Sequence, residues 1–177
     1  KPDNNEQDSE YKAMKTALEA VLVLAGRYSA LAAKLAEKAD ESNRSRLLLI
    51  SETLSKVPAQ PAESLYEAIQ AFIIVWQAVC LEQAPNPFAF SVGNADRIFE
   101  PYRKMSGENR KEAAALLKHF LVFFNVGDRS WAISQNIIIG GRDVSGNDLT
   151  NETSYALLDA YYDMNLPQPI LSVKLHS

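Results

Sequence analysis

The chain has 177 residues, 47% of them hydrophobic, and its 18 basic and 22 acidic residues give a net charge of −4. This length and apolar content suffice for a globular domain with a sizeable core. The charge balance favours neither nucleic acid nor an anionic membrane as partner, and we find no signal peptide and no run of about 18 apolar residues. A single cysteine excludes an internal disulfide framework and is typical of the cytoplasm.

The first half of the chain predicts helices. Residues 1–9 are polar, and we expect them to be frayed or disordered. From Tyr11 to Ala39 apolar residues recur every three or four positions, which predicts a long amphipathic helix; a coiled coil is the alternative. A second helix is expected over 42–56. A third, over 62–83, is apolar on nearly every side and is therefore expected in the core.

The middle of the chain continues this pattern. Prolines end the third helix, and residues 88–90 (Phe-Ala-Phe) predict a short strand or an extended segment. Two further helices are expected over 95–104 and 108–125, with the break between them at Ser106 or Gly107.

The last forty residues predict a strand, a turn, a helix and a second strand. The β-branched run 137–139 is typical of a strand buried on both faces, and Gly140-Gly141 indicates a sharp turn or a close backbone approach. Residues 143–148 form a polar loop, and Thr150 is the expected N-cap of the helix. Tyr155, Leu158 and Tyr162 mark one face of that helix, and prolines end it before a strand over 170–175.

Three blocks carry a more specific signal. The first is VPAQPAESLYEAIQAF at 57–72, the second is SVGNADRIFEPY at 91–102, and the third is the segment just described. Within the third block the informative residues are Gly140-Gly141, Asp143, Gly146, Asp148, Thr150-Asn151-Glu152, Ser154-Tyr155, Leu158-Asp159-Ala160, Pro167-Gln168-Pro169 and 171–176 (Leu-Ser-Val-Lys-Leu-His). In this order the three blocks resemble the glycyl radical enzyme family, which includes pyruvate formate-lyase and the glycerol and choline lyases.

The resemblance implies a fold. It implies a mainly α unit with a few β-strands that is part of an α/β, ten-stranded glycyl-radical-type barrel, with residues 10–177 as a single pyruvate formate-lyase-like domain. In the family, the cysteine that forms a thiyl radical and the glycine that stores the radical both follow the segment that ends here. We therefore expect an internal fragment that is not competent for catalysis alone.

The same resemblance implies partners and chemistry. The parent would be a radical lyase, dehydratase or decarboxylase carrying a protein glycyl radical, installed by a radical activating enzyme in an anaerobic cell; this chain itself would hold no cofactor. Its partners would be the remainder of the parent polypeptide, the activating enzyme and a possible second copy. The alternative is a non-catalytic helical binding or scaffold protein derived from the same fold.

The residues expected to line part of the substrate pocket are Ser91, Gly93, Asn94 and His176, with no catalytic residue and no metal ligand. Asn94 departs from the family, where an arginine commonly follows this glycine. A guanidinium offers a carboxylate a charged fork, and its loss would cost an anionic substrate about 2–4 kcal/mol of binding. We therefore favour altered or lost substrate recognition, although Asn94 as a helix cap is compatible with either outcome.

Other chemistry-bearing residues have simpler interpretations. Cys80 lies within the apolar third helix and is expected to be a buried structural thiol of raised pKa. His119 is interpreted as a surface or boundary residue rather than a base. The carboxylates at 143, 148, 152 and 159 are interpreted as architectural, because two of them flank a helix start.

Overall fold

The computed structural model describes residues 4–82, 91–127 and 135–175. The chain divides into two compact units, residues 1–61 and 62–177. Among the described residues there are six helices and three strands: α1 (Asn4–Ala36), α2 (Glu41–Lys56), α3 (Leu65–Glu82), β1 (Gly93–Asn94), α4 (Ala95–Ser106), α5 (Arg110–Gly127), β2 (Asn136–Gly140), α6 (Glu152–Met164) and β3 (Ile170–Lys174). A mainly helical chain with a few strands is therefore confirmed.

The helices agree closely with the periodicity of the sequence. α1 begins at Asn4, which lies inside the segment 1–9. The fraying expected for that segment stays a prediction, and so does the single domain over 10–177. The break between α4 and α5 is at Gly107, whose φ of +79° gives the left-handed conformation that closes a helix. The strand expected at 88–90 lies outside the described residues.

The first unit consists of two helices packed on each other. The Ser29 hydroxyl, on α1, donates a hydrogen bond of 2.7 Å to the backbone carbonyl of Ser51 on α2. α2 is capped by Asp40, whose carboxylate accepts a 3.0 Å hydrogen bond from the Asn43 N–H. This cap lowers the pKa of Asp40, because the hydrogen bonds favour the ionised form.

Two helical segments, Gln7–Ala36 and Leu65–Glu82, are long and apolar enough to cross a membrane, judged by length and composition only. The core helix of a soluble protein and a signal sequence meet the same criteria.

The core of the second unit is built around aromatic side chains from three helices. Phe72 and Trp76 on α3, Phe99 on α4, and Phe120 and Phe124 on α5 contact one another with ring centroids 4.8–6.4 Å apart. Aromatic pairs at such distances contribute beyond the area they bury. This core covers one side of α3, whereas Val75, Val79 and Leu81 on the same helix are exposed, so the expectation that the whole helix lies in the core was wrong for that side.

The three strands form a parallel sheet in the order β1-β2-β3. Ile137 and Ile139 are buried in the core, whereas Ile138 is only half-buried. The expectation that this strand is buried on both faces was therefore wrong for the face that carries Ile138. A continuous β-branched run does not reveal which alternate residue lies on the more exposed face.

The N-cap of α6 is Asn151 rather than the expected Thr150. The Asn151 side chain accepts a 3.1 Å hydrogen bond from the Ser154 N–H, and the Ser154 hydroxyl accepts one of 3.0 Å from the Asn151 N–H. This reciprocal capping box decides between two adjacent cap-forming residues. The helix buries its small residues, such as Ala156 and Ala160, whereas Tyr162 is 86% exposed.

Gly140, the last residue of β2, and Gly141, which follows it, have the role expected of them. Gly140 and Gly141 have φ angles of +70° and +96°. A Cβ at Gly140 would lie 3.1 Å from the Lys174 carbonyl oxygen, and one at Gly141 would lie 3.1 Å from Lys174 Cδ. Both the backbone conformation and the close approach of β3 therefore require glycine at these positions.

Replacing Gly140 by alanine tests this requirement. We expect Gly140→Ala to lower the free energy of unfolding by about 3 kcal/mol, because it combines a left-handed φ with a contact on backbone that cannot move aside. Gly146→Ala is the matched control, since φ is +85° there but a Cβ meets no atom within 4 Å. It should cost only about 1 kcal/mol. Urea denaturation of the chain measures both, and equal losses would contradict the steric explanation.

Candidate functional site

The candidate site lies where the three parallel strands end. β1 ends at Asn94, β2 at Gly140 and β3 at Lys174, so these residues share the carboxyl edge of the sheet. Ligands of α/β proteins commonly bind at this edge. Three of the four residues predicted to bind substrate, Ser91, Gly93 and Asn94, lie on or beside β1; His176 lies outside the described residues.

Ser91 and Gly93 fix β1 against β2. The Ser91 hydroxyl donates a hydrogen bond to the Asn136 carbonyl and accepts one of 2.9 Å from the Gly93 N–H. Ser91 also borders a hollow of about 160 Å³ with Phe72, Val75, Trp76 and Val79. Ser91 is itself exposed and contacts the first residue of β2, so it lies at the opposite end of β2 from the carboxyl edge.

Asn94 occupies the N-cap position of α4 but makes no side-chain capping hydrogen bond. Its Oδ1 instead accepts a 2.9 Å hydrogen bond from Nη2 of Arg97. The same Nη2 lies 3.5 Å from the Gly140 carbonyl oxygen. Asn94 therefore holds a guanidinium over the end of β2, a role different from the helix cap that the sequence left open.

Asp96 connects three elements at this edge. Its carboxylate is fully buried and accepts hydrogen bonds from the Gly140 N–H at 2.6 Å and the Ser154 hydroxyl at 2.7 Å. A third hydrogen bond of 2.8 Å comes from the Arg97 N–H. These donors compensate the cost of removing a carboxylate from water.

Glu100 repeats this arrangement one turn further along α4. It accepts 2.8 Å and 2.9 Å hydrogen bonds from the Arg103 guanidinium and a 2.7 Å hydrogen bond from the Thr153 hydroxyl. Mainly because of the Arg103 hydrogen bonds, the pKa of Glu100 is lowered to about 2. Asp96 and Glu100 together attach the N-terminus of α6 to α4.

The interpretation of Cys80 and His119 as structural residues stays a prediction. Cys80 is half-buried beside the aromatic core, and burial raises its pKa. His119 is exposed on α5. In the part of the chain that the structure describes, no group of three or more His, Cys, Asp or Glu is placed to hold a metal ion.

Two of the acidic residues after β2 make structural contacts, Asp143 within its own loop and Asp159 with Arg110 on α5. Asp143 accepts hydrogen bonds from the N–H groups of Ser145 at 2.8 Å and Asn147 at 2.9 Å, which closes the loop. Asp159 forms a paired contact with Arg110 at 2.5 and 2.6 Å. Each interaction lowers the pKa of the carboxyl concerned.

Sequence reasoning missed Asp96, Arg97 and Glu100, although all three lie in the block that was compared with the family. The available signal was the spacing of Asp96 and Glu100, four residues apart on one helical face. That face contacts Thr153 and Ser154, whose hydroxyls are more than fifty residues away in sequence.

Parallel strands with connecting helices and polar residues at their carboxyl edge define the second unit as an α/β arrangement. The chain belongs to the pyruvate formate lyase-like family, whose model matches residues 1–177. The resemblance to glycyl radical enzymes is therefore confirmed.

Known relatives are similar over nearly the whole chain. A trans-4-hydroxy-L-proline dehydratase from Clostridioides difficile is 34% identical over 94% of this chain. The solved structure of a glycerol-bound, B12-independent glycerol dehydratase from Clostridium butyricum matches 99% of it with a TM-score of 0.89 and 27% identity. A glycyl radical enzyme from Archaeoglobus fulgidus matches 89% with a TM-score of 0.78 and 32% identity. The chain spans only 22–24% of the length of these proteins.

The low pKa of Glu100 predicts a pH-dependent contribution to stability. Because the folded pKa lies near 2 and the ordinary value is 4.5, the contribution is present above pH 4.5 and is lost as the pH falls towards 2. We expect Glu100→Gln to lower the free energy of unfolding by about 2–3 kcal/mol at pH 6, and by progressively less below pH 4.5.

Urea denaturation at pH 6 and pH 3 measures this difference. Glu19→Gln is the control, since it removes an acid whose side chain is 60% exposed and pairs with Lys15 at 3.6 Å. Exposed pairs of this kind contribute little, so the control should follow the unmodified chain at both values. A difference for Glu100→Gln that does not change with pH would contradict the explanation.

Proposed function

We propose that this chain is a segment of a glycyl radical enzyme of the lyase or dehydratase type, and that it forms scaffold and part of the substrate pocket. The observation that carries the proposal is the family match over residues 1–177, combined with similarity to proteins about four times as long. The three parallel strands would then be part of the ten-stranded barrel of the complete enzyme. The cytoplasm of an anaerobic cell is the proposed location.

The chemistry of the complete enzyme would come from outside this chain. A protein glycyl radical, made by an activating enzyme with an iron–sulfur cluster, would supply a cysteine thiyl that removes a hydrogen atom from the substrate. The residues of this chain would bind and orient the substrate and exclude water. Ser91, Gly93, Asn94 and His176 are proposed to line its side of the pocket.

Several features of the site support this role. The Ser91 hydroxyl and the Gly93 N–H position β1 beside β2, and Asn94 presents its amide at the carboxyl edge. Asp96 and Glu100 attach this edge to α6 through buried hydrogen bonds. A site supported in this way holds its groups in one geometry, as binding and catalysis require.

A non-catalytic binding or scaffold protein of the same fold is the second candidate. Its supporting observation is the apolar surface of β3, where Ile170 is 44% and Val173 45% exposed. An apolar strand at the edge of a sheet favours pairing with another chain. In the complete enzyme the remainder of the polypeptide would cover the same surface.

The two candidates differ in whether the native protein can hold a radical. We would first sequence the source gene beyond the codon for Ser177, then treat the full-length product anaerobically with its activating enzyme. The glycyl radical proposal expects a downstream cysteine and glycine and an electron paramagnetic resonance signal from the glycyl radical.

A matched control replaces that downstream glycine by alanine, which should abolish the signal without changing the folded structure. A reading frame that ends soon after Ser177, or a full-length product that never acquires the signal, would contradict the proposal. It would favour the binding or scaffold protein instead.

A further inference from the structure

Arg97 is a partly buried cation at the carboxyl edge of the sheet. Its Nη2 donates a hydrogen bond of 2.9 Å to Asn94 Oδ1 and lies 3.5 Å from the carbonyl oxygen of Gly140. Its Nε is buried and has no acceptor among the described residues. In the part of the chain that the structure describes, the guanidinium is hydrogen-bonded to two uncharged groups, and its Nε–H has no acceptor.

Two other arginines in the same unit are compensated by carboxylates. Arg103 pairs with Glu100 at 2.8 Å and Arg110 with Asp159 at 2.5 Å. Within the described ranges, no ion pair is formed by Arg97. The carboxylate of its neighbour Asp96 is directed to backbone N–H groups and the Ser154 hydroxyl. Burying part of a cation without a counter-charge is costly, so this position favours an anion.

The position of Arg97 in α4 adds to this cost. It is the third residue of the helix, in the first turn, where the helix dipole is positive and a cation is unfavourable. A negatively charged ligand here would interact favourably with both the guanidinium and the helix terminus. Architecture alone would be better served by an uncharged residue.

A second cation lies at the same edge. Lys174 is paired in register with Gly140, and its aliphatic carbons lie against Gly141. Lys174 is an exposed residue. Lysine side chains commonly pack their stem on the backbone while the ammonium group stays in water. Arg97 and Lys174 thus lie on either side of the Gly140-Gly141 turn.

We infer that Arg97 determines substrate specificity by binding an anionic head group, a carboxylate or a sulfonate, with its guanidinium oriented by Asn94. The inference rests on the proposed function, because it places a small substrate at this edge. It also changes the interpretation of the Asn94 departure from the family. The positive charge that is missing at residue 94 would be supplied by Arg97, three residues later. A guanidinium suits such head groups through paired, charge-assisted hydrogen bonds.

The test is calorimetric binding to the full-length polypeptide without activation, so that no radical is needed. The probes are pyruvate and trans-4-hydroxy-L-proline as carboxylates, isethionate as a sulfonate, and glycerol as a neutral compound. We expect at least one anion to bind, and Arg97→Gln to weaken that binding by about 30-fold or more, equivalent to about 2 kcal/mol. Which anion binds distinguishes a carboxylate from a sulfonate.

Two variants provide the controls. Arg97→Lys keeps the charge without the fork, and should retain anion binding within about tenfold. Lys104→Gln removes a cation from the same helix whose side chain is 69% exposed, and should leave anion binding unchanged. Circular dichroism melting curves establish that each variant is folded.

Three outcomes would overturn the inference: no anion binds, only glycerol binds, or Arg97→Gln destabilises the protein without weakening anion binding. The last would mean that a carboxylate elsewhere in the full-length polypeptide compensates Arg97. Because radical formation is measured separately, a protein that acquires the radical yet binds only glycerol would retain the proposed function and lose this inference.

Discussion

The buried carboxylate of Asp96 is the interaction on which the carboxyl edge of the sheet depends. It accepts hydrogen bonds from the end of β2, from the capping serine of α6 and from the first turn of α4. Hydrogen bonds to a charged acceptor contribute about 1.5–3 kcal/mol each. A carboxylate in this position is tolerable only while all three donors are present, so the three elements are held in one arrangement.

Glu100 extends the same constraint along α4. Its contacts with Thr153 and Arg103 fix the second residue of α6, one turn of α4 away from the Asp96–Ser154 contact. Carboxylates near the N-terminus of α6 also interact favourably with its dipole. The orientation of α6 therefore depends on two charged residues in a helix that precedes it by about fifty positions. The geometry around Gly140 follows from this attachment.

Structural features that depend on neighbouring residues could be predicted from the sequence. Features that depend on contacts between distant residues could not. Helices follow from apolar periodicity, and Gly140-Gly141 from the backbone conformations open only to glycine. The N-cap of α6 was placed one residue early, because Thr150 and Asn151 are both good caps and only the hydrogen bonds of Ser154 select between them. Asp96 and Arg97 were missed because their partners in the sheet lie more than forty residues away.

Charge at the site cannot be read from the charge of the chain. The chain has a net charge of −4, but the carboxylates of Asp96 and Glu100 already accept hydrogen bonds from other groups of the fold. Arg97, by contrast, contacts only neutral acceptors among the described residues. Asp96 and Arg97 are adjacent in sequence, yet the first charge is compensated by hydrogen bonds within the fold and the second has no counter-charge among the described residues. In a protein of this kind, the polarity of a pocket depends on which charges the fold has already paired.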